Sequence, residues 1–184
     1  TAHISKPSKD VPLIKPKEVI ILSIIDYYLI INMYIEIINE ESDPWQKLVD
    51  YKKSQLKDRK NIGACSVFLG TMRDINSGDE IKSMELQHYP EMTESYLEKI
   101  SENAIKKYKI IDTIILHRVG LVSPSDPIVL VATWSEHRED AFEATREIME
   151  ALKSEAPFWK KESTDKGFRW VEPQAEISED MNEA

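Results

Sequence analysis

What most constrains the fold of this chain is the order in which its hydrophobic period changes. "MYIEIINEE" (33–41) alternates apolar and polar residues, which predicts a strand. "SDPWQKLVDYKKSQLKD" follows with Ser42 or Asp43 as N-cap and Pro44 in the first turn, predicting a helix with Trp45, Leu48, Val49 and Tyr51 on its inner side. "IGACSVFLGTM" reads as a largely apolar strand ending at Gly70, and "RDINSGDE" as a polar loop. "IKSMELQHY" alternates again and is closed by Pro90. From Glu91 to Tyr108, Met92, Tyr96, Leu97, Ile100, Ala104 and Tyr108 recur at helical spacing. "IDTIILHRVG" and "DPIVLVATW" are two more strands joined by the turn "LVSPSDP". "SEHREDAFEATREIMEALK" is a helix with an inner stripe of Phe142, Thr145, Met149 and Leu152, stopped by Pro157, and "GFRWVE" is a last short strand. The order β-α-β-β-α-β-β-α-β mixes hairpins with helical crossovers. It predicts a single α+β domain with a mixed or mostly antiparallel sheet covered by helices.

Bulk properties narrow the function. The chain has 184 residues, 41% of them hydrophobic, with 5 Gly and 9 Pro, enough for one ordinary domain with a core. A net charge of −9 argues against general nucleic-acid binding, so an anionic ligand must meet a local basic pocket. The single cysteine, Cys65, excludes an internal disulfide framework, fits a reducing compartment such as the cytoplasm, and reads as a small core residue within "GACSVFLG". "VIILSIIDYYLII" is strongly apolar but too short for a membrane span and carries Asp26. Residues 1–32 are therefore read as a leader or an extra element, 33–172 as the domain, and 173–184 as an acidic disordered tail.

No phosphate-binding glycine loop, dinucleotide fingerprint or nucleophile elbow is present. Basic residues instead gather at the predicted element ends: Arg73, His117 and Arg118, His137 and Arg138, then Lys153, Lys160 and Lys161 in "KSEAPFWKKE". Arginine suits bidentate contact with phosphate, and the N–H groups of the helix start at His137 and Arg138 attract anions. Taken singly, each of these has the alternative of a solvated surface charge, and His117 that of a satisfied core or interface residue. From the residues alone the reading is an α+β domain with an anion pocket.

"GACSVFLGTMRD", "LQHYPEMTESYLEKI", "LHRVGLV", "SEHREDAFEATREIMEALKSEAPFWKKE" and "FRWVE" run in the order and near the spacing of the large catalytic subunit of molybdopterin synthase, which the chain resembles from Met33 to about Glu172. The resemblance implies an α/β hammerhead fold and a central homodimer within a heterotetramer, with a small ubiquitin-like sulfur carrier at each end. The carrier's C-terminal Gly-Gly thiocarboxylate would deliver sulfur to cyclic pyranopterin monophosphate, forming the dithiolene of molybdopterin, in a cytoplasmic reaction. No metal, organic cofactor, nucleic acid or membrane is implied. Carried over position by position, Lys153 and Lys160 would be catalytic. Thr71, Met72 and Arg73 would line the substrate pocket, and Lys161 and Glu162 would complete the substrate contacts. His137 and Arg138 would bind the pterin phosphate across the dimer interface, and Phe68 and Met149 would wall the channel for the carrier tail. Ser123-Pro-Ser-Asp-Pro127 departs from the family, whose members usually place a glycine-containing turn there. A binding module that merely holds the carrier tail is the alternative.

Overall fold

Two strands in the middle of the chain are apolar on both faces, and the architecture follows from that. In the computed structural model, which describes residues 32–171, β5 (Asp112–Arg118) and β7 (Pro127–Ser135) pair antiparallel at the centre of a four-stranded sheet. β1 (Asn32–Ile38) flanks β5 in parallel and β2 (Ala64–Thr71) flanks β7 antiparallel, so this sheet is mixed. One face carries Ile115, Val129 and Val131 against α2 (Pro90–Tyr108) and α3 (Arg138–Ser154). The opposite face carries Ile114, Leu116, Leu130 and Trp134 against α1 (Pro44–Gln55). Strands covered on both sides read as near-continuous apolar runs, as "TIIL" and "IVLVATW" do.

A second, antiparallel sheet is built on β4 (Asp79–His88). β4 pairs with β3 (Ile75–Asn76), β6 (Gly120–Val122) and β8 (Phe158–Thr164), and β8 pairs with β9 (Gly167–Val171). Its core is Met72, Ile81, Met84, Leu86 and Val122. The expected α+β domain with helices over a mixed sheet is observed, with the strands divided into two sheets. Asn32, assigned to the leader from the sequence, begins β1. The rest of the leader and the 173–184 tail lie outside the described residues.

Local chemistry explains the helix ends. The Asp43 carboxylate accepts from Trp45 N at 2.9 Å and Gln46 N at 3.2 Å, and Pro44 occupies the first turn of α1. Pro90 does the same for α2, which closes on Lys109 in the left-handed region. The buried faces differ from the expected stripes. In α1, Trp45 is 51% exposed, and Val49 is exposed too; Pro44, Leu48 and Tyr51 make the contact. In α3, Phe142 is 59% exposed, while Ala141, Ala144, Thr145, Ile148 and Leu152 face the sheet. The small alanines let the helix approach closely, an effect hidden when side-chain bulk is used to choose the stripe. The expected loop "RDINSGDE" is a hairpin: Ser77 (φ 53°) and Gly78 (φ 83°) form a two-residue turn between β3 and β4.

Asp112 opens β5 at 1% exposure and accepts a 2.8 Å hydrogen bond from Tyr51 Oη, joining α1 to the sheet. Burial pushes its carboxyl up to about 6, against the hydrogen bonds from Tyr51 and from the Thr113 backbone. The folded state therefore holds this proton to higher pH than the unfolded chain. The stabilisation is fully present below the unfolded value near 4 and is lost as pH rises through about 6. Asp112→Asn removes this titration and leaves an acceptor for Tyr51. Its stability relative to wild type should rise by about 2 kcal/mol between pH 4 and 7 in denaturant unfolding, and a pH-independent difference would contradict this.

Candidate active site

Strand alternation decides what β8 offers to each side. Phe158, Lys160 and Glu162 face inward, toward the end of α3 and the ends of β2, β5 and β7. There they close a cavity of about 460 Å³. Lys153 in the last turn of α3 enters from one wall, and Phe68, Thr71, Met72 and Arg73 at the end of β2 from another. Met149 and Leu152 add apolar surface below the lysine. The structure thus brings together Phe68, Thr71, Met72, Arg73, Met149, Lys153, Lys160 and Glu162, all singled out from the sequence.

The departing turn at 123–127 holds part of this wall. Met72 N donates to the Asp126 carbonyl at 2.9 Å, and Ser125 N donates to the Met72 carbonyl at 2.8 Å. Ser125 adopts φ 76°, the left-handed conformation that favours glycine, which is why a glycine-containing turn suits this place. The Asp126 carboxylate secures the turn by accepting from Ser123 N at 2.9 Å.

Three candidate residues lie elsewhere. Lys161 is on the outer face of β8, its Nζ 5.0 Å from the Phe168 ring centroid and 5.8 Å from that of Trp170. Adjacent residues on a strand face opposite sides, so Lys160 and Lys161 cannot both enter the cavity. His137 and Arg138 are exposed at the N-terminal end of α3. Lys153 is near the other end of that 17-residue helix, about 24 Å away at 1.5 Å per residue.

Electrostatics single out Lys160. Burial lowers its pKa, the Lys153 charge adds to the effect, and Glu162 opposes it. Among the described residues, the Lys160 side chain makes no hydrogen bond or ion pair, although its backbone is paired with β4 and β9. Its ammonium is therefore disposed to meet an incoming anion and to give up a proton. Phe158 packs its ring flat on His117, with centroids 3.8 Å apart and planes at 10°. His117 is 3% exposed and its Nδ1 lies 2.8 Å from the Arg118 carbonyl oxygen, so Nδ1 donates and Nε2 carries the lone pair. Burial, with Lys160 and His88 nearby, holds this imidazole down to about 3, against the bond to Arg118. A neutral histidine thus forms part of the cavity wall, where the sequence left a core or interface residue.

Glu162, 5% exposed, accepts from Asn76 Nδ2 at 2.7 Å and from Arg169 Nε at 2.9 Å. Neither Asn76 nor Arg169 was legible as a site residue, because their link to Glu162 depends on the unforeseen pairing of β3, β4, β8 and β9.

The sequence profile of the family described as MoaE protein matches residues 43–155, which carry the β2 and α3 walls of the cavity. The molybdopterin synthase catalytic subunit of Ralstonia nicotianae is 54% identical over 114 residues, 62% of this chain and 65% of that protein. The protein of the same name from Haemophilus influenzae is 49% identical over 117 residues, covering 64% and 78%. Among solved structures, the molybdopterin biosynthesis MoaE protein of Burkholderia ambifaria superposes with a TM-score of 0.63 at 42% identity, over 78% of this chain and 92% of that one. Molybdopterin synthase from Staphylococcus aureus gives 0.66 at 33%, over 74% and 96%. With the profile spanning more than half of its residues and these relatives sharing its fold, the chain belongs to the MoaE protein family.

Proposed function

We propose that this chain is the catalytic subunit of a molybdopterin synthase and that its cavity moves sulfur from the thiocarboxylate of a small carrier protein to cyclic pyranopterin monophosphate. The observation that carries this is the convergence of Lys153 and Lys160, from α3 and β8, on one cavity with apolar walls. Both reactants are anionic. Two like charges about 4 Å apart repel by about 4 kcal/mol at an effective dielectric near 20, and two ammonium groups between them offset that cost. Phe68 and Met149 give a narrow Gly-Gly tail an apolar passage. Lys160, with its lowered pKa, supplies the proton for the oxygen that leaves the pterin side chain.

Arg73 lines the cavity and meets the substrate's phosphate from this chain. His137 and Arg138, too distant in the same chain, reach the phosphate of a second copy's site, so the working unit is a homodimer with a carrier at each end. Lys161 contributes from the outer face of β8. No helix among the described residues is long and apolar enough to cross a membrane. The single cysteine supports a cytoplasmic setting for the reaction.

Reconstitution tests the assignment: purified protein, thiocarboxylated carrier and precursor are mixed and assayed for the dithiolene product. Wild type should form it. Absence of product, where the Haemophilus influenzae subunit forms it, would overturn the reading.

A further inference from the structure

Glu162 sets the cavity a problem. Its buried carboxylate shares the inner face of β8 with Lys160, two residues away, and a carboxylate so placed would ordinarily close on the nearest cation. That contact would tie up the ammonium the reaction needs. The contact is not made, because both oxygens of Glu162 are taken: Oε1 by Asn76 Nδ2 and Oε2 by Arg169 Nε. Arg169 extends further. Its Nη2 donates to the Asn76 carbonyl at 3.0 Å and its Nη1 to Asp79 Oδ2 at 2.8 Å, while Lys166 Nζ meets Asp79 Oδ1 at 2.6 Å. One guanidinium on β9 thus engages the β3–β4 hairpin and β8 together, a reach that its planar fork provides and a single ammonium does not.

We propose that Arg169 is a positioning residue for this cavity: together with Asn76 it saturates Glu162, holds the carboxylate in place, and so reserves the Lys160 ammonium for the anionic reactants. The inference rests on the sulfur-transfer reading for its purpose, but the arrangement can be tested without turnover.

The full-length protein is pulsed with acetic anhydride across the alkaline range, and acetylation of Lys160 is compared by mass spectrometry with that of exposed Lys57. In Arg169→Gln, Glu162 turns to Lys160, and Lys160 should acetylate about tenfold more slowly than in wild type, one pKa unit being tenfold in the reactive neutral amine. Asn76→Ala frees one oxygen and should slow it about threefold, half a unit. Asp79→Ala cuts the outer anchor of Arg169 without touching Glu162 and should leave Lys160 as in wild type. In reconstituted turnover, Arg169→Gln should lower kcat about tenfold with a smaller change in KM for the thiocarboxylated carrier, as expected for an effect exerted through Lys160, and Arg169→Lys should recover part of the loss. Unchanged Lys160 reactivity in Arg169→Gln would overturn the proposal. So would Asp79→Ala slowing it equally, because Arg169 would then be only a strap between strands. If Arg169→Gln does not fold, Asn76→Ala decides alone, and wild-type reactivity there overturns the proposal. A wild-type protein that forms no product would instead remove the sulfur-transfer reading and leave the Lys160 result standing.

Discussion

Lys160→Ala should lower the rate of dithiolene formation roughly a thousandfold, the scale seen when one preorganised charge-stabilising group is deleted from an active site. The loss should fall mainly on kcat, because the ammonium acts where charge builds up and where the leaving oxygen takes its proton. Thermal stability should be unchanged or slightly raised, since the substitution removes a partly buried cation that burial already disfavours. Lys160→Arg should not restore the rate. A guanidinium keeps the charge but does not give up its proton near neutral pH, and its fork demands a different geometry. A full rate in Lys160→Arg would show that charge alone is required. The pH profile offers a companion check: the alkaline limb should lie below that of an ordinary lysine, because burial and Lys153 favour the neutral amine. The rate should fall as pH rises through that limb.

The second large effect concerns the dimer. His137 and Arg138 lie about 24 Å along α3 from Lys153, so no rearrangement that keeps the helix whole brings them to the same cavity. A protein with His137→Ala and Arg138→Ala, and a second with Lys153→Ala, should each be nearly inactive as homodimers. When the two are co-expressed, half of the dimers pair one of each, and one site of every such dimer receives intact residues from both chains. Activity should return to about a quarter of wild type, as random two-fold pairing requires. Activity that stays at the level of the parents would mean that the phosphate is held entirely within one chain, with Arg73 as its main cation.

Much of this arrangement is legible in the sequence. Asp43-Pro44 and Pro90 mark helix starts by their own chemistry, and the apolar runs of β5 and β7 could hardly be anything but buried strands. Lys153 and Lys160 stand out through the family resemblance, and Pro157, just past the end of α3, lets the chain turn between them so that they can converge. The hidden parts have definable causes. β8 carries Lys160 and Glu162 inward and Lys161 outward, so charge on both faces erased the apolar alternation that would have marked it as a strand. β3 is too short to show a period, and its turn "NSG" is polar like any loop. Without β3 and β8 paired through β4, Asn76 and Arg169 could not be placed beside Glu162. His117 alternates properly within β5, yet only the stacking of Phe158 upon it reveals that this core position is also a cavity wall.

On the proposed reading, sulfur passes directly from carrier to pterin in the cavity between Lys153 and Lys160, with the lysines acting by charge and proton transfer. Following the sulfur through a single turnover tests it most directly. Carrier thiocarboxylate labelled with a heavy sulfur isotope is mixed with enzyme and precursor, and carrier, pterin and enzyme are each weighed by mass spectrometry. The label should appear in the pterin, the carrier should return as an ordinary carboxylate once water cleaves its acyl–sulfur bond, and the enzyme should keep an unaltered mass throughout. Label on the enzyme, or pterin or carrier trapped covalently on Lys153 or Lys160, would contradict it.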